Sequence, residues 1–429
     1  MAGEWRQPEE MPLGPHRDTG ADNASGARRL AREPLSLALI EARNYTLSLL
    51  QHFQQALGPA MRLQPLPYAL PPLWLAGHVG WLAEYWIGRN PQRALGPRCP
   101  PDAMHIASVE PQSDELFDPR LVPPSQRWSL PLPDAGNLRA YLLDTLETTL
   151  ELLDRAPDDD DGLYFHRMVL FHEDLRGEQL LAIAQAAGVP VGVSLPAGAA
   201  MRDPLLLPAS PWTLGWSEEG FALDVECGQE SVAVPEFEID AQPVTWSQYV
   251  EFIADGGYDR QELWHPQGWD WLQRQGEADG RRGPRYVEQI GVASGAVMQT
   301  MFGKATRMAG SQLAMHGSWW EADAWARWAG RRLPTEAEWE IAALQATRRG
   351  FRWGEVREWM SGTVRPFAGF RPDAWTPQAE LDAQPVFGMA RVQRGASFAT
   401  RARMKHPRAR WWALPERDDG FVGFRTCAV

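Results

Sequence analysis

The residues best suited to chemistry lie in Phe171-His172-Glu173-Asp174-Leu175-Arg176-Gly177-Glu178-Gln179, where a histidine and two acids share one turn of an otherwise apolar helix. A neutral imidazole offers a lone pair to a proton near neutral pH or to a transition metal. One other segment supplies an obvious partner. Trp74, His78, Trp81 and Tyr85 recur at spacings of 4, 3 and 4, a single helical stripe that ought to be buried. A metal or polar centre is expected where these two helices face each other. A second ligand on the helix of His172 would stand three or four residues away, at Met168, Val169, Leu175 or Arg176. None of these replaces a histidine easily, and arginine is permanently cationic with no lone pair to give. Glu178, six residues on, lies about 120° away around the helix. A lone histidine on an apolar face is more often a hydrogen-bonded core residue than a ligand, so both readings stand for His78 and His172.

A chain of 429 residues is too long for one core, and two domains are expected. The net charge of -13 argues against a nucleic-acid backbone or an anionic membrane as the main partner. Three scattered cysteines, Cys99, Cys227 and Cys427, make neither a disulfide framework nor a structural zinc site. No apolar run approaches membrane-spanning length and the N-terminus has no apolar leader, so the expected setting is the cytoplasm. The chain carries 21 tryptophans, most of which should anchor loops.

Residues 1–30 read as a mobile tail. Leu35, Leu39, Ala42, Leu50 and Phe53 mark a first helix to about Gln55, and the stripe of His78 marks a second, from Pro72 to before Pro91. A proline-rich connection to about Pro133 is long for a loop. The third helix is expected from about Asn137 to Leu153, then an acidic loop at Asp158–Asp161, then a fourth helix from about Leu163 to Ala187. Four such helices over 31–197 make a bundle. From 198 to 429 the pattern becomes α+β: strand-like runs at Phe221–Val225 and Ser231–Val234, and two capped helices opening at Ser318-Trp319-Trp320-Glu321 and Thr335-Glu336-Ala337-Glu338.

Four motifs in the second half resemble the formylglycine-generating-enzyme (sulfatase-modifying factor) domain. They are Arg331-Arg332-Leu333-Pro334-Thr335-Glu336-Ala337-Glu338-Trp339-Glu340, Gly354-Glu355-Val356-Arg357-Glu358-Trp359, Arg394-Gly395-Ala396-Ser397-Phe398 and Gly423-Phe424-Arg425. The resemblance implies a C-type-lectin-like fold over roughly 204–429. The two cysteines of the copper-dependent formylglycine enzymes have no counterpart between Phe398 and Phe424, so that chemistry is not expected. In the first half, Trp74 to Trp81 is similar to the W-H-x-x-H-x-x-W helix of DinB-like domains. A DinB-like bundle fused to this lectin-like domain is the plan of the ergothioneine-biosynthesis sulfoxide synthases (EgtB-like). His-Val-Gly-Trp, Arg-Asn-Pro-Gln-Arg and Phe-His-Glu-Asp look closest to the selenoneine synthase (SenA-like) branch. Those enzymes join sulfur or selenium to the imidazole carbon of hercynine with non-haem iron and dioxygen.

The resemblance implies Fe(II) held by three histidines, of which His78 and His172 match two and Arg176 stands at the third. Arg176 is alternatively a fork for a carboxylate, from Glu84 or from an amino-acid-like substrate, or a surface partner of Glu173 or Glu178. Trp411 and Trp412 occupy the stretch that holds hercynine in the resembling synthases, where aromatic faces suit a trimethylammonium. Asp418 and Asp419 add charge for that cation or form a solvated turn. Val364 stands near the position of the synthases' proton-donating tyrosine, Phe367 keeps an aromatic wall, and Arg127 is the candidate for the carboxylates of the thiol partner. The expected substrates are thus hercynine, a selenol or thiol donor and dioxygen, with no nucleic acid or membrane. The competing reading is a metal-poor or inactive relative that binds the betaine.

Overall fold

The computed structural model describes residues 20–291 and 296–429. The stretch expected as a tail divides: residues 1–19 lie outside the described residues, whereas Gly20–Ala27 form helix α1 and Ala24, Ala27 and Arg28 are buried. Arg28 anchors this end of the chain. Its guanidinium bridges Glu226 at 2.7 Å and lies 4.4 Å over the ring of Trp216.

The first half is built from α2 (Arg32–Leu57), α3 (Pro72–Ala83), the short α4 (Ser113–Phe117), α5 (Ala135–Asp154) and α6 (Asp160–Ala187). The four long helices form a bundle in which α2 and α3 each pack against both α5 and α6. The acidic run expected as a loop instead starts α6. Asp159 accepts from the Gly162 amide at 2.8 Å, and Asp160 and Asp161 fill the first turn, where the helix dipole favours negative charge. Asp134 caps α5 in the same way, accepting from the amides of Gly136 and Asn137. The stripe of α3 runs into a single π-turn at Glu84–Gly88.

The second half holds four sheets among the described residues. One orders its strands as Leu205–Leu207, Phe237–Ile239, Cys427–Ala428 and Arg331–Arg332. Another orders Arg410–Ala413, Arg391–Gly395, Arg357–Thr363 and Val422–Gly423. Ser210–Leu214 pairs with Glu230–Val234, and Val287–Gly291, Ala296–Met301 and Lys304–Met308 make a three-stranded meander. Four helices accompany them: α7 (Trp246–Ala254), α8 (Pro266–Asp279), α9 (Trp319–Trp328) and α10 (Glu336–Gln345). The capping boxes of Ser318 with Glu321 and of Thr335 with Glu338 start α9 and α10 as expected. Phe221–Val225 is not a strand. Its backbone groups go elsewhere: the Phe221 amide to the Arg28 carbonyl, the Leu223 amide to the Glu226 carboxylate, and a 3₁₀ turn follows at Asp224–Glu226.

Helix α6 belongs to both halves. Most of its residues from Gly162 to Gly177 are buried on every side, the signature of a helix enclosed all round. One flank packs in the bundle and the other takes loops of the second half. Glu178 meets Arg357 at 2.6 Å and the hydroxyls of Ser397 and Thr400 at 2.9 Å, while Asp174 meets Arg403 at 2.6 Å. The helix ends at Gly188, whose φ of +66° is the left-handed cap that glycine adopts freely. A Cβ on the facing Gly303 would stand 2.2 Å from the Gly188 carbonyl oxygen, so the two halves touch there backbone to backbone.

Candidate active centre

His78 sits on the buried face of α3, 0% exposed, stacked between Trp74 (centroids 5.0 Å apart) and Trp81 (5.7 Å). Its Nδ1 is 3.0 Å from the Phe117 carbonyl, which only accepts, so Nδ1 carries the proton and Nε2 the lone pair. Gly77 permits this contact: a Cβ there would stand 2.2 Å from the Phe117 ring. His78 Nε2 is buried without a hydrogen-bond partner among the described residues. Burial first, then the charge of Arg176, push the ring down to about 3, so His78 is neutral.

The expected meeting of the two helices is found. The His172 ring stands edge-on to His78 with centroids 5.2 Å apart. Arg176 does not pair with Glu173, Glu178 or Glu84. Its Nε donates to His172 Nε2 at 3.1 Å, its Nη1 to Gln179 at 2.5 Å and its Nη2 to the Ala379 carbonyl, with Glu380 at 3.7 Å. Burial and the Arg176 charge hold His172 well below the usual imidazole range. Glu380, which no motif marked, completes the centre. Arg127 donates to it at 2.6 Å and lies 3.7 Å over the face of Trp74. Burial works against the Glu380 carboxylate, but Arg176 and Arg127 outweigh it and keep its pKa below the ordinary value.

The acids that flank His172 are structural. Glu173 holds Arg43 at 2.8 Å and the Thr46 hydroxyl at 2.8 Å inside the bundle, and Asp174 and Glu178 tie α6 to the second half. Glu84 accepts from Ser108 and Tyr141, both at 2.7 Å.

The aromatic residues are less open than their sequence suggests. Trp411 and Trp412 are adjacent in one strand and so face opposite sides of the sheet. Trp411 is buried, and the Arg357 guanidinium lies 4.3 Å over its ring. Trp412 is half-buried. Phe367 is likewise covered by Arg410 at 4.0 Å. These faces do attract cations, and the cations are the protein's own. Asp418 bridges Arg281 (2.7 Å) and Arg285 (3.0 Å), and Asp419 pairs with Arg417 (2.6 Å), so neither is a bare solvated acid. Val364 is fully buried.

Can this centre hold iron? His78 has the form of a ligand, with its second nitrogen fixed by a carbonyl and its lone pair unused. His172 does not, because the lone pair a metal would need already accepts from Arg176. Among the described residues no group of three or more His, Cys, Asp or Glu is placed to hold a metal ion. The donor set does not fit iron in this arrangement.

Residues 192–361 match the sulfatase-modifying factor enzyme 1-like domain. Beyond that domain, the chain is 31% identical over 453 residues to hercynine oxygenase of Mycolicibacterium smegmatis, covering 92% of this chain and 99% of that protein. The protein belongs to the hercynine oxygenase (EgtB-like) family. The hercynine oxygenase of Mycolicibacterium thermoresistibile is also 31% identical, over 449 residues covering 92% of this chain and 94% of the relative. A formylglycine-generating enzyme of Streptomyces coelicolor is 29% identical over 187 residues, which cover 40% of this chain and 58% of that enzyme. Like the hercynine oxygenase alignments, the geometry joins the two halves in one unit, with the centre on the bundle helices and its closing carboxylate on a loop of the second half.

Proposed function

We propose that the protein binds hercynine, or a closely related imidazole betaine, and acts in oxygen-dependent joining of a selenol or thiol to the imidazole carbon. One observation carries this reading: similarity to hercynine oxygenases runs through 92% of the chain and includes a helical half in which His78 and His172 face each other. The domain plan belongs to the same reading, with a DinB-like bundle over 31–197 and a C-type-lectin-like domain over 198–429. The four packed helices and the domain match over 192–361 support it. Fe(II) would supply the activation of dioxygen in this chemistry, but of the two histidines only His78 is free to accept it, because His172 Nε2 is taken by Arg176. Arg127, Arg176, Phe367, Trp411 and Trp412 are the residues offered to the organic substrates. A cytoplasmic setting suits three free cysteines, and no helix among the described residues is long and apolar enough to cross a membrane.

A second reading is favoured by the Arg176–His172 contact: a metal-poor relative that keeps betaine binding alone. Iron analysis of anaerobically purified protein, alongside Arg176→His, separates the two. Stoichiometric iron in the natural protein supports the enzyme. Trace iron that becomes stoichiometric in the variant selects the binding protein. Calorimetric titration showing no hercynine binding to either would overturn both.

A further inference from the structure

Two guanidiniums converge on one carboxylate, and their charges do not cancel. Arg127 is 1% exposed; its Nε donates to the Val122 carbonyl at 3.1 Å and its Nη2 to Glu380 at 2.6 Å, while Nη1 is buried with no hydrogen-bond partner among the described residues. Arg176 is more than nine-tenths buried and stands 3.7 Å from the other oxygen of the same carboxylate. A buried cation in excess, with an N–H left unmet, is among the costlier things a fold can retain. The centre is thus built to receive more negative charge than Glu380 brings. Glu380 itself is held loosely in one respect and tightly in another. Its φ of +52° lies where residues other than glycine are uncommon, and it is the most exposed member of the centre at 24%. Only the two arginines and its place in the loop keep it there.

We propose that Arg127 and Arg176 form a carboxylate-binding subsite in which Glu380 is a resident occupant, displaced when the carboxylate of a ligand arrives. The ligand class is a small molecule with an amino-acid-type or betaine-type carboxylate. The choice of hercynine as such a ligand rests on the reading given under Proposed function; the subsite rests on the arginines. With Glu380 seated, its carboxylate occupies both guanidiniums and offsets one of their two charges. With Glu380 withdrawn, a planar carboxylate takes the same two guanidiniums, and the unmet Nη1–H of Arg127 has a partner.

The test uses calorimetric titration of the full chain with two pairs of probes: propionate against propionamide, and hercynine against its decarboxylated analogue. The variants are Glu380→Ala, the isosteric Glu380→Gln in case the shorter side chain disturbs the loop, and Glu380→Ala combined with Arg127→Leu. Removing the carboxylate should tighten propionate binding by about tenfold or more. Propionamide should be unaffected, and the gain should vanish in the double variant. Equal propionate affinity in natural protein, Glu380→Ala and Glu380→Gln overturns the subsite, as does a gain that survives loss of Arg127. If propionate behaves as expected but hercynine binds nowhere, the subsite stands and the hercynine reading falls. If hercynine binds with one affinity to every variant, and its decarboxylated analogue equally well, the subsite falls and the hercynine reading stands.

Discussion

A guanidinium beside an imidazole takes its lone pair and, through its charge, drives the ring further from protonation. Arg176 does both to His172 and the second to His78. The histidines were legible from a stripe spaced 4, 3 and 4 and from one turn of α6, because helical geometry alone puts them on facing surfaces. Glu380 was not legible. It belongs to no motif, and it arrives on a loop whose course depends on the whole second half. Gly77 shows how one residue supports the centre: Gly77→Ala should drive the Phe117 ring away, weaken the hydrogen bond from His78 Nδ1 to the Phe117 carbonyl and cost about 1–3 kcal/mol, read by chemical denaturation. Burial raises Asp224 to about 6, and burial with its neighbour Asp224 raises Asp373 to about 7, from an ordinary 3.8. Folded pKa values above the unfolded one mean that stability is fully present at low pH and is lost as pH rises through 6 to 7. Asp373→Asn removes one of the two charges formed there. Its Tm relative to the natural protein should climb by about 3 °C or more between pH 5 and pH 8. A gap that stays constant across that range contradicts the assignment.

At the scale of elements, α6 explains why its acids misled the sequence reading. Two carboxylates beside a histidine look like acid–base chemistry, yet a helix walled in on both flanks must spend its charges on neighbours, and Glu173, Asp174 and Glu178 each hold an arginine. The Asp158–Asp161 run misled in the opposite direction, since consecutive acids suit a helix N-terminus as well as a loop. The capped helices α9 and α10 were legible because their capping boxes are local; α7, with a Thr245–Gln248 capping box of the same kind, and α8, opened by Pro266 and closed by Gly280, were missed. The C-terminal end of α6 gives the element-scale prediction. Gly303→Ala places a methyl against the Gly188 carbonyl, so thermal melting should fall markedly. Gly256→Ala, at a comparable positive φ but with open space around it, should pay only the backbone strain and melt appreciably higher than Gly303→Ala.

For the whole molecule, the two-domain plan was legible from composition and motif order, but its boundary is not a linker. Ion pairs from α6 to Arg357 and Arg403, the Arg28–Glu226 pair and the Gly188–Gly303 contact join the halves across buried surface. Glu178→Ala removes the partner of part-buried Arg357, at a cost of about 1.5–3 kcal/mol for the loss of hydrogen bonds to a charged group. Calorimetry should show one unfolding transition for the natural protein, shifted down in Glu178→Ala. Two transitions in the natural protein would mean that the halves are independent.

Of the five side chains in the centre, four are buried and Glu380 is the one most open to solvent. Helix α6 is enclosed along most of Gly162 to Gly177, so its amides there should exchange hydrogen only through global unfolding, whereas those around Ala379 and Glu380 should exchange through local opening. The door and the occupant are then one residue. Ligand association should be gated by the loop, its observed rate levelling off with concentration at the loop's own opening rate. In Glu380→Ala that ceiling should lift, a kinetic signature that equilibrium affinity alone would not reveal.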